Sequence, residues 1–200
     1  MGDLVLKGGT SGQITVTPTA VAGTNTLTLP ANTGTVVTTG SSSVVTQTML
    51  GANVAGNGPA FLAYLSADQT VTSSSYTKVN LNTTSYNQGS GFNTSTYGFT
   101  PPINGYYLIS ALLNAGNSTG NLTRNFVNIY NGATQVSRGS DVGNSGGTSV
   151  IPYTSVTTVP LYLTTSDTVY MYAFITASTS AIATGGQVNC WMSGVLLRAA

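Results

Sequence analysis

Few side chains in this sequence can do chemistry, and their types narrow the question quickly. There is no His and no Glu; the acids are Asp3, Asp68, Asp141 and Asp167, and the bases are Lys7, Lys78, Arg124, Arg138 and Arg198. A hydrolytic triad needs a general base beside its nucleophile, and no imidazole is present to serve. A glycosidase needs two carboxyl groups held across one bond. Here the Asp residues are scattered, and only a fold can pair them. Cys190 is the single thiol, so no internal disulfide forms, and without His there is no zinc ligand set. Calcium takes several oxygen ligands. Asp141, in Asp141-Val142-Gly143-Asn144, is the one candidate, and a capped turn is its plainer reading. The Gly-rich runs at 8–12 and 143–147 carry no following Lys-Ser/Thr and open no helix, so they are not phosphate loops. These residues predict a protein that is not an enzyme and holds no cofactor and no metal.

Binding is a different matter. Tyr106, Tyr107, Tyr130, Tyr153, Tyr162, Tyr170 and Tyr172 offer stacking platforms for a sugar. On strands, however, Tyr more often belongs to a core or an interface, with its hydroxyl at the rim, and these Tyr residues are expected there. Trp191, beside Cys190 in the last strand segment, reads as a packing anchor. Arg124 and Arg138 flank a hairpin signal, where solvation is the simple expectation and an intersubunit contact the alternative.

The elements that position these residues are β. Charged residues are 4% of the chain, against about 25% in an average domain. Thr, Ser, Asn and Gly must solubilise the surface, and the helix formers Glu and Lys are nearly missing. A net charge of +1 gives no reason to expect nucleic acid or an anionic membrane as a partner. No run of about 18 apolar residues predicts a spanning helix. Met1-Gly2-Asp3 does not open a signal peptide, which predicts synthesis in a cytosol.

The centre of the pattern is Tyr97–Leu113. Tyr97 and Phe99 alternate with Gly98 and Thr100 as a half-buried strand, and Pro101-Pro102 stop it. Asn104-Gly105 turns the chain into the dense run Tyr106–Leu113. Other strand signals are Ala60–Leu65, Thr77–Leu81, Phe126–Tyr130 closed by Asn131-Gly132, Gln135–Arg138, Thr154–Leu163 broken at Pro160, Thr168–Thr176 and Val188–Leu197. Polar loops are predicted near 87–91, 114–121 and 139–148. Within Thr168–Thr176, Val169, Met171, Ala173 and Ile175 share one face and Tyr170, Tyr172 and Phe174 the other. One face then packs on a sheet and the other on a second subunit. Many short strands with polar loops predict an all-β sandwich or jelly roll over residues 59–200.

Residues 1–58 read as a β arm and linker. Leu4, Leu6, Ile14, Val16, Leu27 and Leu29 alternate with polar residues in pieces of four to six. Such pieces bury too little apolar area to offset a backbone ordering cost of about 1–2 kcal/mol per residue. They must pack on copies of themselves or on another protein. Gly40-Ser41-Ser42-Ser43 is linker-like, Val44–Leu50 is a strand or a single helical turn, and the boundary is placed near Gly58-Pro59.

The residues at this point carry a resemblance. Pro59-Ala60-Phe61-Leu62-Ala63-Tyr64-Leu65, Thr77-Lys78-Val79 and Phe99-Thr100-Pro101-Pro102-Ile103-Asn104-Gly105-Tyr106-Tyr107 resemble the jelly-roll domain shared by the complement head and the tumour-necrosis-factor superfamily. So do Leu163 with Asp167-Thr168-Val169, and the closing Ser193-Gly194-Val195-Leu196-Leu197. Ser166 departs from the glycine usual before that aspartate. The domain is especially similar to versions found in bacteriophage structural proteins, and Ala22–Thr35 resembles a module of phage fibres and other virion proteins.

The resemblance implies a homotrimer, with a trimer core expected at Tyr106, Tyr107, Tyr170, Tyr172, Phe174 and Trp191. It implies a non-enzymatic phage structural protein, a capsid decoration or cement or a head fibre, on the virion surface and made in the bacterial host cytoplasm. The arm would dock on other virion proteins through Leu4, Leu6, Ile14, Val16, Leu27 and Leu29. The alternative is a tail-fibre or receptor-binding tip that recognises a host surface glycan or protein through loops at 85–95, 114–122 and 139–148.

Overall fold

A computed structural model of the chain describes residues 4–7, 9–16, 57–117, 122–143, 153–178 and 181–200. The chain divides into two compact units, Met1–Ser42 and Ser43–Ala200. In the first, β1 (Leu4–Lys7) pairs antiparallel with β2 (Gln13–Val16), in the register Leu4 to Val16 and Leu6 to Ile14. Gly12 turns the hairpin at φ 78°, and Val5 and Leu6 are exposed. The docking residues Leu27 and Leu29 lie outside the described residues.

Among the described residues of the second unit, every regular element of four or more residues is a strand. In chain order it contains β3 (Ala60–Tyr64), β4 (Gln69–Val71), β5 (Tyr76–Lys78), β6 (Thr83–Gln88), β7 (Phe92–Asn93) and β8 (Gly98–Phe99). Next come β9 (Gly105–Asn117), β10 (Leu122–Asn131), β11 (Thr134–Arg138) and β12 (Val142–Gly143). The last are β13 (Tyr153–Leu163), β14 (Val169–Ala177), β15 (Ala181–Ala183) and β16 (Cys190–Ala199). They form two sheets. The front sheet runs β4-β15-β9-β16-β3-β6, with β13 on the free side of β9; the back sheet runs β11-β10-β14-β8-β7, with β12 on β10 and β5 on β14. The two close into a jelly-roll sandwich, as the composition and turn spacing predict.

The core lies between the sheets and follows strand parity. Tyr107, Ile109, Ala111, Leu113 and Ala115 of β9 point inward, and Val169, Met171, Ala173 and Ile175 of β14 face them from the back sheet. Phe61 stacks between Phe92 and Phe99 at 5.1 and 4.4 Å. At the edge where β13 meets β10, polar side chains replace apolar packing. Ser155 Oγ accepts from Val127 N (3.1 Å) and donates to Ser140 O (2.7 Å), while Asn125 Nδ2 donates to Tyr153 O (2.8 Å).

Three local expectations change. Tyr97 is not a strand residue: it sits at φ 61°, and only Gly98–Phe99 pair. The cause is Asn93, whose Oδ1 accepts from Ser95 N (2.8 Å) and Thr96 N (3.1 Å) in a local turn that overrides the alternation. The predicted loop at 114–121 begins later, because β9 continues through Asn117. Pro160 does not break β13: that strand pairs only with β9, so a residue without an N–H is tolerated on its unpaired side.

Candidate functional site

The described acids are occupied by structural bonds. Asp68 Oδ1 accepts from Gly185 N (2.7 Å). Asp167 Oδ2 accepts from Thr164 N and Thr164 Oγ1, both at 2.7 Å, and its Oδ1 accepts from Asn131 Nδ2 (2.7 Å). These bonds, led by the Thr164 N–H, hold its carboxyl below the usual carboxylate range. Asp167 N also closes the turn on Thr164 O at 3.0 Å. Ser166 is not among the residues with positive φ, so this turn has no need of glycine there. Burial pushes the Cys190 thiol up to about 12, which leaves it inert. Among the described residues no three of His, Cys, Asp and Glu gather as metal ligands. Asp141 is not a capped turn, because the guanidinium groups of Arg124 and Arg138 take its oxygens.

What the fold does expose is two sheet faces of different chemistry. The outward face of the front sheet carries two apolar rows, with the hydroxyl row Thr158, Ser110 and Ser193 between them. One row across it is Val156, Leu112, Trp191 and Tyr64; a second is Pro160, Leu108, Val195 and Ala60. Tyr106 and Tyr162 pair at one end with ring centroids 5.3 Å apart, and both are about half exposed (46% and 51%). Arg198, at the rim over Tyr106, is the only charged side chain in those rows and that pair.

The back sheet's outward face is aromatic and cationic. By parity β10 presents Arg124, Phe126, Asn128 and Tyr130, and β14 presents Tyr170, Tyr172 and Phe174. Phe126 and Phe174 stack at 4.6 Å with planes 8° apart, and Tyr130 lies 4.5 Å from Tyr172. Tyr76 of β5 touches Phe174, Phe126 and Tyr130 edge-on at 5.1, 6.0 and 6.2 Å. Arg138 caps the Phe126 ring at 3.9 Å, Arg124 lies 5.1 Å from the same ring, and Lys78 Nζ lies 4.8 Å from the Tyr170 ring. Asp141 accepts from Arg124 Nε (2.9 Å) and Nη2 (2.6 Å) and from Arg138 Nη2. The Arg124 bond, first of all, lowers the Asp141 carboxyl pKa. Beneath this layer Asn128 is fully buried, and neither its amide N nor its amide O has a hydrogen-bond partner.

The six residues expected at a trimer core therefore divide among three places. Tyr106 and Trp191 lie on the front face. Tyr170, Tyr172 and Phe174 lie on the back face, on the other side of the sandwich. Tyr107 is in neither: it points into the core and donates its hydroxyl to Ile103 O at 2.8 Å. Consecutive strand residues point to opposite sides, so Tyr106 and Tyr107 cannot share a face. The sequence reading also missed Tyr76, Phe126 and Asn128 as members of a site. The alternation at 124, 126, 128 and 130 matches that at 170, 172 and 174, and would have suggested it.

A family model, the C1q domain, matches residues 60–197, more than half the chain. The chain belongs to the C1q domain family. Among solved structures, the globular domain of zebrafish complement 1qA protein is similar at 15% identity and TM-score 0.53, over 71% of this chain and 99% of that one. The Eiger TNF of S. frugiperda is similar at 10% identity and TM-score 0.54, over 71% of this chain and 95% of that one. None of the curated proteins matches the sequence. At these identities the structural likeness shows the jelly-roll fold alone, and the virion part of the resemblance has no counterpart among these matches.

Proposed function

We propose that this C1q-family chain is a non-enzymatic homotrimer, and that the trimer is a surface attachment of a bacteriophage virion: a capsid decoration or cement, or a head fibre. Residues 59–200 form the jelly-roll head, and residues 1–58 form the arm that docks on other virion proteins. The protein is made in the bacterial host cytoplasm and resides on the virion surface. The trimer rests on the outward face of the front sheet. Leu112 pairs there with Trp191 and Leu108 with Val195, on either side of Ser110 and Ser193, and Val156 and Tyr162 are exposed on the neighbouring strand. Apolar rows without a charge among them, on a protein this poor in charge, favour burial against copies of itself. The virion placement is supported by the resemblance of Ala22–Thr35 to fibre modules and by the short alternating segments of the arm.

Light scattering on the full chain at micromolar concentration tests the trimer. The expected mass is three chains, and a monomer rejects the reading. Deleting residues 1–58 is expected to leave a folded trimer that no longer joins the virion. Incorporation of the truncated protein at normal occupancy would remove the docking role of the arm.

A second reading, a tip that recognises a host surface glycan or protein, is favoured by the aromatic and cationic back face. The 85–95, 114–122 and 139–148 loops support it less. Residues 85–88 and 114–117 are strand, while Asp141 belongs to the back face itself.

A further inference from the structure

We propose that the outward face of the back sheet is a binding site for an acidic saccharide, with Asn128 at its floor. The inference deepens the recognition reading and does not depend on the trimer. Three observations converge on one spot. First, three of the chain's five cationic residues stand on this face: Arg124 and Arg138 share the one carboxylate of Asp141, and Lys78 lies over the Tyr170 ring with its Nζ donating to Thr96 O at 3.3 Å. The face keeps a positive excess that calls for an anion. The other three Asp residues of the chain are Asp3, Asp68 and Asp167, and the last two accept hydrogen bonds from backbone N–H groups. A second copy of the chain therefore has no acidic patch to offer, and the occupant is a different molecule.

Second, the cations stand beside aromatic rings. Tyr76 is 45% exposed, and Tyr130, Tyr170 and Tyr172 are half-buried. Aromatic surface next to a fixed cation suits a pyranose that stacks its C–H face on a ring and directs its carboxylate to a guanidinium. Third, Asn128 is a buried amide without partners, flanked on its own strand by Phe126 and Tyr130 and across the sheet by Arg138 and Tyr172. Leaving such a group unbonded costs stability, and an unsatisfied native group calls for an explanation. The Tyr76 ring lies 6.0 and 6.2 Å from the Phe126 and Tyr130 rings, which flank Asn128 on β10. Contact with the amide requires the aromatic rings around it to shift, and Tyr76 is the most exposed of them. One amide supplies a donor and an acceptor together, the pair that vicinal sugar hydroxyls satisfy and that a run of peptide carboxylates does not.

The test uses the full chain and three probes: a galacturonic acid tetramer, its methyl ester, and a glutamate-rich peptide. Calorimetry is expected to show binding of the tetramer that weakens as salt rises, with the methyl ester at least tenfold weaker. Tyr76→Ala and Arg138→Gln are each expected to weaken it tenfold or more, with the mass in solution unchanged, while Arg198→Gln on the front face leaves binding unchanged. Asn128→Leu separates ligand duty from packing. It removes an unbonded amide at nearly constant volume, so the melting temperature is expected to hold or rise while binding falls about tenfold. No tetramer binding at millimolar concentration overturns the inference, as does equal binding of the methyl ester. Equal or tighter binding of the peptide replaces the saccharide with an acidic protein partner. A trimer that binds none of the probes rejects this site alone, and a monomer that binds the tetramer rejects the trimer alone.

Discussion

Ser155 shows how single polar atoms hold this sandwich shut. It is fully buried, and its hydroxyl serves the Val127 N–H and the Ser140 carbonyl at once. Ser155→Ala leaves both backbone groups without that partner inside the protein, and a buried orphan costs about 1–3 kcal/mol. The expected result is a melting temperature lower by roughly 3–10 °C for a domain of this size, read by calorimetry. An unchanged melting temperature would mean that these groups find other partners. Asp167 is the residue whose effect depends on pH. Its folded pKa is depressed by the Thr164 and Asn131 bonds. The carboxylate therefore stabilises the fold above its unfolded pKa of about 3.9, and that contribution is lost as pH falls through the lower folded value. Asp167→Asn is expected to lower stability at pH 7 by about 1–3 kcal/mol, since hydrogen bonds to a charged group are involved. The gap between the two proteins should narrow below about pH 4. Denaturant melts at pH 7 and pH 3 check this, and a gap that is constant with pH contradicts it.

At the scale of elements, β9 was the most legible part of the sequence. Tyr106–Leu113 combines density with parity, and the structure makes it the strand on which β16, β13 and β15 all pair. Its continuation to Asn117 was not legible, because Asn114, Gly116 and Asn117 look like a loop until β15 and β13 are there to pair with them. The strand β6 was also missed: Thr83–Gln88 carries no apolar alternation, as an edge strand requires none. Pro160 misled for the same reason, since edge position is a property of the sheet and not of the local sequence. The back-face site was half legible. Two strands each show an aromatic parity, but only the register of Phe126 with Phe174 and Tyr130 with Tyr170 brings them into one surface. The closing motif Ser193-Gly194-Val195 gains a cause as well. A Cβ on Gly194 would meet Phe61 Cε1 at 2.5 Å and Ile109 Cδ1 at 2.8 Å, so the Phe61 ring occupies the space that a side chain would need. Gly194→Val is expected to overpack this layer and destabilise the fold by about 1–3 kcal/mol. Chemical denaturation measures the loss, and pairing the change with Phe61→Leu should recover part of it if the ring is the obstacle.

For the whole molecule, the sandwich separates two kinds of surface. The front face has apolar rows with Arg198 only at its rim, and the back face holds Lys78, Arg124 and Arg138. If the front face is where copies meet, a charge placed there must be buried in the trimer but not in the monomer. Val195 is suited to the test, because it is 42% exposed in the single chain and its neighbours across the sheet are Leu108 and Ala60. Val195→Asp costs the isolated fold little, since its side chain can reach water. In an assembly the same carboxylate has no cation among those neighbours, and an unpaired buried charge costs about 3–5 kcal/mol. Each interface of a threefold ring carries one copy of the change, so the penalty recurs around the ring. Light scattering is expected to report single chains for Val195→Asp, with an unchanged β-rich circular dichroism spectrum. Arg138→Gln, on the back face, is expected to keep the mass of three. A Val195→Asp protein that remains trimeric would move the interface off the front sheet, and loss of the trimer in Arg138→Gln would place the interface on the back sheet instead.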